Sequence, residues 1–241
     1  MNSLRVLIKT IFNRLPIRAQ CRIASFVRNR PSRNFGKAFI HRTVQILGSS
    51  NVRIGLNSVI SQDCWLNVNH RESKDLAIAI GDHCFIGRRN FFSSGSLIDI
   101  GSYVLTANDC HFLGSSHIVD NPMIPCISSG TTASDVIRIG HNTFLGAGVR
   151  VLGNVSIGHG CVIGAGSLVT KDIPPFSQAF GSPAVVRRRF SLMQKKWLSM
   201  DEFGPEEEHS IPSPDEYLVI LAMSPRPCMP YMAAGNDMGN L

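Results

Sequence analysis

Between Ile54 and Ile173 the chain repeats itself every six residues. The clearest run begins at Ile139 and reads IGHNTF, LGAGVR, VLGNVS, IGHGCV, IGAGSL. Of the fifteen first positions in the repeat, fourteen are Ile, Leu, Val or Phe. This period fits neither an amphipathic helix nor an alternating strand. It fits a chain that coils so that every sixth side chain points inward, which predicts an all-β fold, a parallel β-solenoid.

The other repeat positions carry their own pattern. The second is Gly in eight of fifteen repeats, where we expect it to let the chain turn corners, and the fifth is Ser, Thr, Cys or Val in twelve. Four of the seven cysteines, Cys64, Cys84, Cys110 and Cys161, occupy fifth positions, and no CxxC occurs. A small core-facing residue is needed there, so the pattern favours packing over disulfides or metal binding.

Three hexapeptides make one triangular turn, and two insertions interrupt the turns, at 72–79 and 118–138. The predicted coils are 54–71, 80–97, 100–117, 139–156 and 157–174. The chain then divides into a helical segment 1–40, a solenoid 41–175 with the protruding loop 118–138, and an extension 176–241, in which QKKWLSM suggests a helix. A long loop that leaves a regular solenoid usually serves function, because the core does not need it.

The net charge of +7 is concentrated at the N-terminus, where eleven Lys or Arg precede the first acidic residue, Asp63. Residues 1–40 begin as a basic amphipathic helix, which suits either contact with an anionic membrane surface or a cap over the open end of the solenoid. This stretch has no interleaved aromatic platform and no known binding motif, so it does not favour nucleic-acid binding. No apolar run approaches the roughly 20 residues that span a bilayer. We therefore expect a cytoplasmic protein, peripheral at the inner membrane face if the helix binds lipid.

Residues 139–190, IGHNTFLGAGVRVLGNVSIGHGCVIGAGSLVTKDIPPFSQAFGSPAVVRRRF, resemble the hexapeptide-repeat acyltransferases, in particular the sugar O-acetyltransferases of bacterial polysaccharide biosynthesis. The resemblance implies a left-handed parallel β-helix and a homotrimer with active sites between neighbouring prisms. It also implies acetyl-CoA as cosubstrate, a saccharide hydroxyl as acceptor, and no metal. Chirality rules alone favour a right-handed crossover, so the left hand rests on the resemblance.

The family's catalytic histidine closes a coil just before a protruding loop, and His117 holds that place. A sugar hydroxyl is a poor nucleophile until a base takes its proton, and imidazole, whose pKa is near neutrality, suits that task. Asp120 is a candidate to orient His117. Among the other histidines, His111 lies one face earlier on the same coil, and His141 and His159 stand at third positions, where surface polar residues are usual.

By the same resemblance, Phe144 replaces an aromatic residue that stacks beside the pantetheine arm. The backbone around Gly146 and Ala147 would bind pantetheine or polarise the thioester oxygen. The remaining candidates for the coenzyme A groove are Ala165, Thr170, Lys171 and Arg188. The run Arg187 to Arg189 is equally well explained as a solvated surface, and Val185 departs from the Lys or Arg of many relatives.

On the acceptor side, the family uses an Asn one coil before the histidine, where this chain has Ser94 and, nearby, Asn90. Both are candidate substrate-binding residues.

Two other functions suit the same fold. One is a gamma-class carbonic anhydrase, in which histidines from two subunits hold a metal, and the other is a scaffold without catalysis. The segments IGAGS, VTKD and GSPA favour coenzyme A binding over the first.

Overall fold

A computed structural model describes residues 37–224, so the predicted N-terminal helix lies almost wholly outside the described residues. The chain forms a left-handed parallel β-helix whose strands stack into three sheets, here named faces A, B and C. Each coil contributes one short strand to each face, and each strand pairs in parallel with its counterparts in the neighbouring coils. The six-residue repeat therefore predicted the fold class correctly.

The strands of the three faces follow one another in regular order. Face A contains β1 (Phe39–Ile40), β4 (Val59–Ile60), β7 (Phe85–Ile86), β10 (Leu105–Thr106), β13 (Phe144–Leu145), β16 (Val162–Ile163), β18 (Ser177–Gly181), β19 (Ala184–Ser191) and β20 (Lys196–Ser199). Face B contains β2 (Gln45–Leu47), β5 (Trp65–Val68), β8 (Phe91–Ser94), β11 (His111–Leu113), β14 (Arg150–Leu152) and β17 (Leu168–Val169). Face C contains β3 (Val52–Ile54), β6 (Ile78–Ile80), β9 (Leu97–Ile100), β12 (Val136–Ile139) and β15 (Val155–Ile157).

The first positions of the repeat form the core. All fifteen are buried, with at most 2% of any side chain exposed, including Thr106, the one polar member. The four fifth-position cysteines are buried free thiols, which confirms their packing role. Burial raises the pKa of Cys64, Cys84 and Cys161 to about 12 and that of Cys110 to about 11. A thiol that stays protonated is neither a nucleophile nor a metal ligand.

The corners of the coils depend on two different positions. The fourth position adopts the left-handed conformation in ten of fifteen repeats, with φ between +52° and +70°, and Asn or Asp, which tolerate it, occupy four of these sites. The second-position glycines were expected to turn the corners, but none of them adopts a positive φ. An added Cβ on Gly140 would lie 2.3 Å from the His159 backbone nitrogen, so these glycines let adjacent coils approach.

The larger insertion leaves the coil stack without disturbing it. Across the gap, Ile137 still pairs with Ile98 on face C, and Ser96 N–H donates to Asp135 O at 2.9 Å. The loop itself begins as a narrow ribbon and contains a 3₁₀ turn at Cys126–Ser128. Its apolar side chains are exposed, Met123 and Ile127 most of all.

The C-terminal extension packs on the prism. Strand β18 continues face A, β19 and β20 form an antiparallel hairpin, and two helices follow, α1 (Pro205–His209) and α2 (Pro214–Ala222). The helix expected for QKKWLSM is wrong, because Lys196–Ser199 pairs with β19 as a strand. Tyr217 of α2 packs edge-on against Phe176 and at a tilt against His159 of the prism, with ring centroids 5.0 and 5.1 Å apart. Neither α1 nor α2 is long and apolar enough to cross a bilayer.

Candidate active site

The base of the ejected loop carries His117. The two sides of the loop pair antiparallel there, His117 against Thr131, and Thr132 N–H donates to Ser116 O at 2.8 Å. Ile118 N–H donates to Gly130 O at 3.2 Å on the next rung. This pairing holds the His117 backbone on a short ribbon, while its side chain is exposed to solvent. The imidazole is therefore accessible to an external substrate.

Asp120 follows three residues later in the same loop and is also exposed. Among residues 37–224 the structure contains no hydrogen bond or ion pair between Asp120 and His117. The orienting role predicted for Asp120 stays a prediction.

Phe144 and Arg188 lie on one line across face A. Phe144 pairs with Val162, Val162 with Gln178, and Gln178 with Arg188, so three strand spacings, about 14 Å, separate the two residues. Phe144 is 37% exposed although its side chain is a large apolar ring. Arg188 is exposed at the other end. A linear ligand laid across the strands would meet an apolar ring first and a guanidinium at its far end.

The turn from face A to face B brings together Gly146, Ala147 and Ala165. An added Cβ on Gly146 would lie 2.6 Å from the Ala165 nitrogen, and Gly166 N–H donates to Ala147 O at 2.8 Å. Gly146 N–H is already bonded to Ile163 O at 2.8 Å. Within the described part of the chain, the Ala147 N–H has no acceptor. Of the two predicted backbone donors, the Ala147 N–H is therefore the one available to a ligand.

The remaining residues of the predicted groove differ in role. Thr170 and Lys171 are exposed at the turn that follows β17, at the opposite edge of face B from Ala165. Arg189, by contrast, is 5% exposed and forms an ion pair with Glu208. Its guanidinium also donates to Pro175 O at 2.9 Å and lies 4.3 Å from the Phe203 ring. A solvated surface run is thus the wrong description of Arg189, which ties the extension to the prism.

The two acceptor candidates are both buried. The Asn90 side chain is 1% exposed: its Nδ2 donates to Gly87 O at 2.6 Å and Ala107 O at 2.9 Å, and its Oδ1 accepts from Cys110 N–H at 3.1 Å. Ser94 Oγ is buried and has no hydrogen-bond partner among the described residues. The geometry gives Asn90 a structural role beside its predicted substrate-binding role. Asn90→Ala separates the two roles, because loss of the structural role lowers stability and loss of the binding role raises KM for the acceptor.

Two histidines differ from the surface role expected for third positions. His159 is 4% exposed, and its Nε2 has no partner within residues 37–224. His141 accepts a hydrogen bond from Ser102 N–H on Nδ1 at 2.9 Å. Burial lowers the pKa of both rings. The periodicity missed the burial of His159 because α2, an element outside the repeat, covers it with Tyr217.

His141 also lines a groove of about 400 Å³ on face C. Arg53, Asp82 and Asp99 line the same groove. No three His, Cys, Asp or Glu side chains in residues 37–224 of a single chain cluster as metal ligands do.

The chain is similar in sequence to a known family and to several acetyltransferases. Residues 137–171 match the family described as "Bacterial transferase hexapeptide (six repeats)". A probable acetyltransferase of Mycobacterium tuberculosis is 34% identical over 129 residues, 52% of this chain and 43% of that protein. The galactoside O-acetyltransferase of Lactococcus lactis is 34% identical over 158 residues, 54% of this chain and 74% of that protein. A putative acetyltransferase of Staphylococcus aureus is 38% identical over 112 residues, 46% and 55% of the two chains.

The chain thus spans less than half of the mycobacterial protein and just over half of the staphylococcal one. Among solved structures, a mutant of the N-acyltransferase AntD from Bacillus cereus, in complex with dTDP and coenzyme A, matches with a TM-score of 0.54 at 19% identity. The match covers 63% of this chain and 81% of AntD, and at this identity it concerns the fold alone. The repeat, the prism and the 74% coverage of the galactoside O-acetyltransferase lead to one conclusion: the chain belongs to the hexapeptide-repeat transferase family.

Proposed function

We propose that the protein transfers an acetyl group from acetyl-CoA to a hydroxyl of a saccharide, with His117 as general base. The observation that carries the proposal is the accessible imidazole at the base of the ejected loop, in a chain related to a galactoside O-acetyltransferase. The acceptor is proposed to be a precursor of a bacterial surface polysaccharide. The proposed compartment is the cytoplasm, and residues 1–40 are proposed to bring the protein to an anionic membrane surface.

The proposed reaction needs one base and one carbonyl-polarising donor. His117 takes the proton of the acceptor hydroxyl as its oxygen attacks the thioester carbonyl carbon, which forms the ester C–O bond. The C–S bond then breaks, and the imidazolium returns the proton to the coenzyme A thiolate. The Ala147 N–H is the donor proposed to face the carbonyl oxygen. Asp120 is proposed to orient the imidazole during the two proton transfers.

The donor is proposed to lie across face A, with its pantetheine arm beside Phe144 and its phosphates toward Arg188. Gly146 and Ala165 would form the floor beneath it; Thr170 and Lys171, at the opposite edge of face B, are proposed to contact a donor held by a neighbouring subunit. In a homotrimer, the loop carrying His117 would approach this groove from a neighbouring subunit. The apolar side chains of that loop, exposed in a single chain, support such an assembly.

The proposal is tested by His117→Ala with acetyl-CoA and a panel of sugars, measured as release of free coenzyme A thiol. We expect turnover to fall to background while the oligomeric state and melting temperature stay the same. His209→Ala, an exposed histidine on α1, is the matched control. Full activity of His117→Ala would refute the role of His117. A product that resists mild alkaline hydrolysis would indicate an amide and therefore N-transfer.

Metal analysis of the purified trimer separates this function from the carbonic-anhydrase alternative, which requires stoichiometric zinc or iron. Calorimetric titration with coenzyme A separates it from a scaffold without catalysis, because a scaffold would show no binding.

A further inference from the structure

Face B carries a row of three outward-facing rings, one at the start of each of the strands β5, β8 and β11. Trp65 pairs in register with Phe91, and Phe91 with His111, on three successive coils. The ring centroids of Trp65 and Phe91 are 4.9 Å apart, and those of Phe91 and His111 are 6.1 Å apart. Trp65 is 41% exposed. The Trp65 and Phe91 ring planes are inclined at 38°, and His111 meets Phe91 edge-on at 89°, so Trp65, the most exposed of the three, is the ring that offers a face to a ligand.

Fixed amide groups lie next to this row on the same face. Asn67, two residues after Trp65, donates from Nδ2 to Asn69 Oδ1 at 2.6 Å. Asn69 in turn donates to Ser93 Oγ at 3.0 Å and to Ser94 O at 2.9 Å. No hydrogen bond within residues 37–224 uses Asn67 Oδ1. A rigid amide pair with a free acceptor beside an aromatic surface suits a ligand with both a flat apolar face and hydroxyl groups.

The same face leads from the rings to the proposed base. Beyond Asn69, a ring nitrogen of His70 lies 3.2 Å from Thr132 O and 3.5 Å from Thr131 Oγ1. Thr131 is the residue that pairs with His117. Trp65 begins β5 (Trp65–Val68) and His70 follows its end after the bend at Asn69, so the length of the strand, about 10 Å, lies between them. The aromatic row and the strand pair that carries His117 therefore lie toward opposite ends of β5, which leaves room for a second ring between them.

We propose that the Trp65 row binds a second flat ring of the acceptor, next to the sugar that is acetylated at His117. The inference rests on the proposed function and makes the acceptor an extended molecule rather than a free monosaccharide. The second ring is proposed to be a pyranose, because its C–H face can stack on the indole while its hydroxyls donate to Asn67 Oδ1. Asn67 hydrogen-bonds the hydroxyls of the linking unit.

The contrast with face A supports this assignment. Its outward register line runs from Leu105 through Phe144 to Val162, and all three side chains are apolar. Such a surface suits a pantetheine arm, whereas face B combines rings with amides. The two substrates are thus assigned to surfaces of different chemistry.

A binding experiment tests the inference without any need for turnover. The chain has two tryptophans, and the other, Trp197, packs against Phe190 in the extension, with ring centroids 5.3 Å apart. Trp197→Phe leaves the Trp65 indole as the single emitter. Titration with maltose and lactose tests the pyranose, titration with dTDP tests the nucleobase, and glucose is the monosaccharide reference.

We expect a saturable change in Trp65 emission with a disaccharide, at concentrations at least tenfold below those at which glucose acts. A response to dTDP alone would indicate a nucleobase and would overturn the assignment of a pyranose. Equal responses to glucose and to the larger probes, or no response to any, would overturn the inference. If the emission responds while His117→Ala and the wild type are both inactive, the proposed function fails and the binding surface remains.

Kinetics supply the second measurement. Stacking on one aromatic ring commonly changes affinity by tenfold or more. Trp65→Ala should therefore raise KM at least tenfold for the probe that changes the emission. KM for acetyl-CoA and kcat should change less than twofold. Leu56→Ala, which removes another exposed apolar side chain, 50% exposed, is the control. A change of oligomeric state in Trp65→Ala would show that face B is a subunit contact and would overturn the inference.

Discussion

Asn90→Ala distinguishes a residue that holds the prism together from one that holds the acceptor. The substitution removes three hydrogen bonds, two to the carbonyls of Gly87 and Ala107 and one from the N–H of Cys110. At about 1 kcal/mol each, these contribute about 3 kcal/mol to the free energy of unfolding. The Cys110 N–H is then buried without an acceptor, which adds about 1 kcal/mol, the lower end of the cost of an unpaired buried amide. We expect a total loss of about 4 kcal/mol.

Such a loss is measurable by thermal or denaturant unfolding. For a chain of this size, each kcal/mol lowers the melting temperature by about 2–4 °C, so we expect a decrease of roughly 8–16 °C. Below the transition temperature, KM for the acceptor should stay within about twofold of the wild-type value, because the buried Asn90 side chain does not reach the acceptor. Ser94→Ala is the control, because Ser94 Oγ has no partner to lose. An unchanged melting temperature with a large increase in acceptor KM would refute this reasoning and support substrate binding by Asn90.

Three further variants test the corners, the donor groove and the buried histidine. Gly140→Ala should destabilise the prism by about 1–3 kcal/mol in denaturant unfolding, because its Cβ would lie 2.3 Å from a backbone nitrogen; Gly204→Ala, with no atom within 4 Å, should change stability far less. Phe144→Ala should raise KM for acetyl-CoA about tenfold in steady-state kinetics and Phe144→Trp should retain it, since the apolar face is what binds; equal losses would contradict this. Because burial lowers the pKa of His159 below its ordinary 6.5, the unfolded state binds more protons, and stability should fall as pH drops below about 6.5. His159→Leu should weaken that dependence when melting temperatures at about pH 7.5 and 5.5 are compared, and an undiminished dependence would show that other groups cause it.

The hexapeptide period predicted the interior of the prism because burial at first positions is a property of the backbone coil. The same logic explains Asn90, which stands at a fifth position. That register already places its side chain inward, where Cys110 lies one coil later. The family resemblance predicts a substrate-binding role for Asn90 instead. A family resemblance assigns Asn90 a role from its place in the sequence relative to the histidine. The position within the hexapeptide determines whether its side chain points inward or outward.

Features outside the repeat could not be predicted in this way. His159 is buried by Tyr217, a contact between residues almost sixty positions apart that no periodicity encodes. Lys196–Ser199 forms a strand because β19 offers it an edge, although a local reading of its sequence suggests a helix. Trp65, Phe91 and His111 all occupy sixth positions, so the register already places them on one outer face. Their contact distances needed the structure.

The loop that carries His117 starts and ends at almost the same point. An added Cβ on Gly95 would lie 1.9 Å from Gly114 O and 3.0 Å from Asp135 O, so the departing and returning chains flank one glycine of the coil before. Closing a loop between fixed, adjacent ends costs only about 0.6 kcal/mol for each doubling of its length. The segment between Ser115 and Ser134 can therefore be lengthened, shortened or exchanged while the coils above and below keep their pairing. Divergence in acceptor choice within such a scaffold can proceed by loop replacement, at a free-energy cost smaller than that of many single substitutions in the core.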